Sequence, residues 1–157
     1  MSKSARILES LQAKIIEEVQ ERIEKRKWNE AIEQQYSTTV DFLYRRFQRL
    51  LQPVMVKLEG FDEKDVVLEV FNVKQEGTQL EITLMGNEMV VHPAGHEQNK
   101  EEPWTLYVNS NNKTIERLFI ARDEEGFYWQ ILRGNYAERV LDEHIWELIE
   151  KGLMEAN

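Results

Sequence analysis

The chain has no cysteine among its 157 residues. That excludes a disulfide framework, a thiolate metal site and a cysteine nucleophile, and it fits a reducing compartment. No apolar run approaches about 18 residues, so no segment is expected to span a membrane. The basic start Lys3-Ser4-Ala5-Arg6 leads into a charged amphipathic stretch and not an apolar one, so a secretory signal is not expected either. A cytoplasmic location follows as the expectation.

Glycine and proline are missing from the first 52 residues; all seven glycines and all three prolines lie at or after Pro53. A long stretch without either residue reads as helix, and a chain punctuated about every ten residues reads as short strands. Charge divides at the same place. Residues 1–52 hold 10 Lys+Arg against 8 Asp+Glu, net +2, and residues 53–157 hold 10 against 21, net −11. Such an acidic second part argues against nucleic-acid binding there.

Leu8, Leu11, Ile15, Val19, Ile23 and Ile32 keep roughly helical spacing across residues 4–35, with Ile16 beside them. The stripe is narrow, and i,i+4 pairs such as Glu18–Arg22 and Glu21–Lys25 lace the rest of the surface. Tyr36, Val40, Leu43, Phe47, Leu50 and Val54 follow a 4-3-4-3-4 spacing, and Phe42, Tyr44 and Leu51 widen it into the broad face of a core-packed helix. A break is expected at Ser37-Thr38-Thr39, where Thr38 could cap a second helix, with one unbroken helix as the alternative. Pro53 is expected to end the helical part.

Short alternating runs follow, with 54–58, 66–74 and 80–84 read as strands. Gly86-Asn87 signals a hairpin into Met89–His92. Trp104, Leu106 and Val108 alternate, and 114–122 and 127–133 complete the series. Asp142 as N-cap and Gly152 as stop bracket a last helix burying Ile145, Trp146 and Ile149. The fold class expected is therefore α+β: long N-terminal helices that could form a helical hairpin, a mostly antiparallel β-meander of six to eight strands, and a C-terminal helix packed on the sheet. Bulk on both strand faces calls for two covers, one of them the Tyr36–Leu51 helix. The domain reading is a charged association segment, 1–36, and an α+β domain, 37–157.

No G-x-S-x-G elbow, P-loop, G-x-G-x-x-G or H-E-x-x-H motif is present, and there are only three histidines, so the reading leans away from an enzyme. His92-Pro93-Ala94-Gly95-His96, with Glu97, Glu101 and Glu102, offers imidazole and carboxylate ligands suited to zinc, but at a generic spacing. No metal, cofactor or catalytic residue is assigned. Lys25-Arg26-Lys27 and Arg45, Arg46 and Arg49 could meet phosphates, yet helix 4–35 carries seven acidic groups against six basic ones, so nucleic acid is not favoured.

The leading expectation is a non-enzymatic interaction or adaptor-type protein. It would form a homo-oligomer, a dimer by preference, or bind a protein partner through Leu8, Leu11, Ile15, Val19 and Ile23, with Tyr36, Val40, Leu43 and Phe47 seating the helix. The alternative is a small-molecule-binding or catalytic domain with a pocket between sheet and helix, lined by Trp104, Tyr107, Tyr128 and Trp129. A second alternative is nucleic-acid binding through the basic helix faces.

Overall fold

The structure is a computed structural model, and it describes residues 2–94 and 104–155. The chain divides into two compact units, Met1–Ser37 and Thr38–Asn157. Helix α1 (Lys3–Leu58) is continuous through both. The break expected at residues 37–39 is absent. Within the second unit Thr39 is buried, and its carbonyl accepts the indole N–H of Trp129 at 3.1 Å. One buried hydrogen bond, worth about 1 kcal/mol, outweighs the few tenths by which a threonine disfavours helix.

Pro53 lies inside α1 and does not end it, so the strand expected at 54–58 is the last turn of that helix. The pyrrolidine ring fixes φ near the helical value, and its cost falls on the single bond that the Arg49 carbonyl would have accepted. Gly60 follows two residues after the helix ends.

Helix α2 (Lys64–Val70) precedes a seven-stranded antiparallel meander. Its strands are β1 (Phe71–Glu76), β2 (Gln79–Leu84), β3 (Asn87–Pro93), β4 (Leu106–Ser110), β5 (Lys113–Asp123), β6 (Gly126–Arg133) and β7 (Tyr136–Arg139). The run 66–74, read as one strand, is thus split between helix and strand. The pairing partner explains why. Strand β2 has only six residues, and its Leu84 already pairs with Phe71. Residues before Phe71 would have no ladder, and a helix satisfies their N–H and C=O groups internally. The β2–β3 turn is Met85-Gly86, with φ of 46° and 87°, one residue earlier than the sequence suggests. Both central residues of such a hairpin turn need positive φ, and only the second is glycine.

Strand alternation sorts the sheet into a buried and an open face. Leu80, Ile82, Met89, Val91, Leu106, Val108, Leu118, Trp129 and Ile131 share the buried face. Val40, Leu43, Tyr44, Phe47 and Leu51 of α1 are buried with them. Phe42 points away and is exposed, as is Val54. The Tyr44 hydroxyl reaches the Thr78 and Val91 carbonyls at 2.8 and 3.0 Å. Helix α3 (Asp142–Ile149) runs into a π-helical turn (Glu150–Met154), and the two bury Ile145, Leu148, Ile149 and Leu153.

The π-helical turn lies on the same sheet face as the α1 residues. Trp129 donates to α1, while Ser110 Oγ donates to the Gly152 carbonyl, and both side chains stand on the buried face. The expected second cover is therefore absent from the opposite face among the described residues. Its half-buried aromatics are capped by side chains of their own sheet instead. Arg117 lies over Tyr107 at 5.5 Å and Arg139 over Tyr128 at 4.3 Å. A guanidinium over an aromatic ring gains electrostatic attraction and shields the ring without a second layer.

The last helix departs from expectation in three places. Leu141, not Asp142, is the N-cap; Asp142 sits in the first turn and accepts from Arg46 Nη2 at 2.9 Å. Trp146 is exposed, and His144 takes the buried position beside Ile145. Gly152 does not stop the helix. A Cβ there would lie 2.7 Å from Met89 Sδ and 3.2 Å from Ile115 Cδ1, so its role is close packing.

Gly152→Ala should destabilise the second unit by about 1–3 kcal/mol through overpacking, read as a lower urea midpoint with unchanged slope. Tyr44→Phe should cost about 1–2 kcal/mol in the same assay, because the buried Val91 carbonyl and the part-buried Thr78 carbonyl lose a shared donor.

Candidate interaction surface

Unit 1 is a single stretch of helix, and its sequence explains its character. Residues 4–35 contain no glycine or proline and carry Glu–Lys/Arg spacings of four. One of these forms in the structure, Arg22 Nε to Glu18 Oε1 at 2.9 Å. Such an exposed pair is worth only a few tenths of a kcal/mol. The low charge content of one face leaves an apolar stripe.

Every residue from Arg6 to Lys27 is exposed. These include Ile7, Leu8, Leu11, Ile15, Ile16, Val19 and Ile23, each between 48% and 57% exposed. The structure thus places Leu8, Leu11, Ile15, Val19 and Ile23 together on one uncovered helical stretch. Tyr36 is half-buried, and burial pushes its phenol well above the ordinary tyrosine range. Val40, Leu43 and Phe47 are buried core residues of the second unit. Burial sets the exposed residues of unit 1 apart from these buried ones. Ile7 belongs with the exposed set and lay unassigned in the sequence, where it falls just before the regular spacing begins.

The four pocket candidates are not brought together. Trp129 is buried under α1, while Tyr107 and Tyr128 stand on the opposite sheet face, and Trp104 is half-buried ahead of β4. The alternation of a strand separates Tyr128 from Trp129, since neighbours in sequence face opposite ways.

His92 has both ring nitrogens engaged. Asn109 Nδ2 lies 2.9 Å from Nε2, and the Pro93 carbonyl lies 3.0 Å from Nδ1. The amide must donate, so Nε2 accepts and Nδ1 carries the proton. His96, Glu97, Glu101 and Glu102 lie outside the described residues. Among those that are described, no group of three or more His, Asp or Glu could hold a metal ion. No helix among them is long and apolar enough to cross a membrane.

The basic candidates also divide. Lys25, Arg26 and Lys27 are exposed on unit 1, and Arg45 and Arg49 are exposed on α1 in unit 2. Arg46 is committed to the fold, donating to the Val140 carbonyl at 3.0 Å and to Asp142. Of the acidic groups, Glu138 and Asp123 are held below their ordinary range. The hydrogen bond from His144, 2.8 Å away, is the main cause at Glu138. At Asp123 it is the backbone N–H of Glu125, with the Arg139 guanidinium adding to it. His144 Nδ1 accepts from the Leu141 N–H at 2.9 Å, so its Nε2 donates to Glu138. These contacts tie β5, β7 and α3 together.

Comparison of the chain with protein-family models, with curated proteins and with solved structures gives no match.

A carboxylate held below its ordinary value stabilises the fold fully above that value, about 4.5 for Glu138. The contribution is lost as pH falls through the depressed folded value. Urea midpoints should therefore drop as pH falls below about 4.5, and Glu138→Gln should flatten that drop while lowering the midpoint at neutral pH.

Proposed function

We propose that this protein is a non-enzymatic interaction protein that self-associates, as a dimer by preference, or engages a protein partner through the helix of unit 1. One observation carries the reading: the uninterrupted exposure of Arg6–Lys27 with seven Leu, Ile and Val side chains on it. A helix without tertiary cover gains little from propensity, since most helical stability in proteins comes from packing an apolar face. Covering each half-exposed aliphatic side chain is worth about 1 kcal/mol. The mixed charges around the stripe suit a solvent-lined helix–helix seam and would repel a phosphate backbone in part. The cysteine-free composition supports a cytoplasmic setting. Separation of Trp129 from Tyr107 and Tyr128 onto opposite sheet faces weighs against the pocket reading.

The test is the mass of the full chain in solution by sedimentation equilibrium. At about 100 μM, where an association of ordinary affinity is populated, the protein should exceed its monomer mass. Leu11→Asp combined with Ile15→Asp should weaken association at least tenfold while leaving the near-ultraviolet circular dichroism of the second unit unchanged. A monomer at every concentration that also pulls no protein into a defined-mass complex would sink the proposal.

A further inference from the structure

A second uncovered apolar surface lies in unit 2, around α2. This helix is Lys-Asp-Val-Val-Leu-Glu-Val, and none of its residues is buried. Val66, Leu68 and Val70 are 49%, 55% and 45% exposed. Four apolar residues in seven is a composition for a helix with a cover. Beside it the last turn of α1 and the start of β1 enclose a hollow of about 170 Å³. Met55, Leu58, Val67, Leu68, Phe71 and Val73 supply its apolar lining. The space suits an inserted aliphatic side chain.

The flanking segment is acidic. Between Lys57 and Val70 there are five carboxylates, Glu59, Asp62, Glu63, Asp65 and Glu69, against Lys57 and Lys64, net −3. Lys64 Nζ is already engaged, donating to the Glu59 carbonyl at 2.7 Å. An occupant should therefore offer apolar side chains on a basic scaffold. The first part of α1 has that chemistry. Residues 3–16 carry Lys3, Arg6 and Lys14 against Glu9, net +2, and present exposed Ile7, Leu8, Leu11, Ile15 and Ile16. The more acidic stretch 17–24, with Glu17, Glu18, Glu21 and Glu24 against Arg22, would be repelled by the same segment.

We infer that the basic, apolar start of α1 in one copy docks on the α2 hollow and its acidic flanking segment in a second copy. Leu8 and Leu11 lie at the seam, and Arg6 and Lys14 face Asp62 and Asp65. A reciprocal exchange closes as a two-fold dimer, with both copies covering the same two surfaces. This rests on the self-association proposed above and names the surface that receives the helix. Such a contact draws its attraction from opposite charge over a water-exposed segment, so salt weakens it.

The absence of native cysteine makes the test direct. Single-cysteine full-length variants L11C and L68C are mixed and treated with a flexible thiol-specific cross-linker. The 11–68 product should dominate over 11–11. Adding Asp62→Lys and Asp65→Lys to the L68C chain should reduce it at least tenfold, and Arg6→Glu with Lys14→Glu on the L11C chain should restore it. All of these positions are exposed, so melting temperature should hold in every variant. Dominant 11–11 cross-linking that ignores the charge reversal overturns the inference and leaves the self-association reading standing, with helix paired to helix. A monomeric mass with no cross-link of either kind removes both.

Discussion

One face of the antiparallel sheet must leave water, and the rest of the second unit follows from how that is done. The alternation of strands places Leu80, Ile82, Met89, Val91, Leu106, Val108, Leu118, Trp129 and Ile131 on a single side. Two pieces of helix from opposite ends of the sequence, Thr39–Leu51 and Ile145–Leu153, close that side. Their polar anchors are specific: Tyr44 to two carbonyls, Trp129 to the Thr39 carbonyl, Arg46 to the α3 start, and Ser110 to Gly152. Each removes a polar group from an otherwise apolar interface without leaving it unsatisfied. The anchoring also settles local conflicts, holding threonines in helix and forcing glycine where the π-helical turn meets Met89.

The opposite sheet face shows a different economy. It carries aromatic residues without a second layer, and guanidinium groups from neighbouring strands lie across the rings. Long side chains with an apolar stem and a charged tip can cover aromatic surface while staying hydrated. This is why bulk on both faces of a strand did not require helices on both faces of the sheet. Two longer apolar stretches stay uncovered elsewhere: the stretch of helix from Arg6 to Lys27, and the residues around α2. Their net charges are opposite, and neither has a structural duty inside its own unit that would account for its composition.

The chain on its own determined the class of fold and the character of its parts. Missing glycine and proline made residues 1–52 helical, punctuation made the rest a meander, and the spacing of Leu8, Leu11, Ile15, Val19 and Ile23 marked an apolar stripe. These are local properties, set by periodicity and turn chemistry within a few residues. Tertiary structure decided what depended on partners distant in sequence. At the expected break, the Thr39 carbonyl is held by Trp129, some 90 residues on. The helical state of Lys64–Val70 followed from a pairing strand that ends at Leu84. The parting of Trp129 from Tyr107 and Tyr128 came from strand register. Exposure is the last of these. A stripe reads the same in sequence whether it is covered or open, because burial belongs to the neighbour as much as to the residue, and only the folded chain shows that this one has none along Arg6–Lys27.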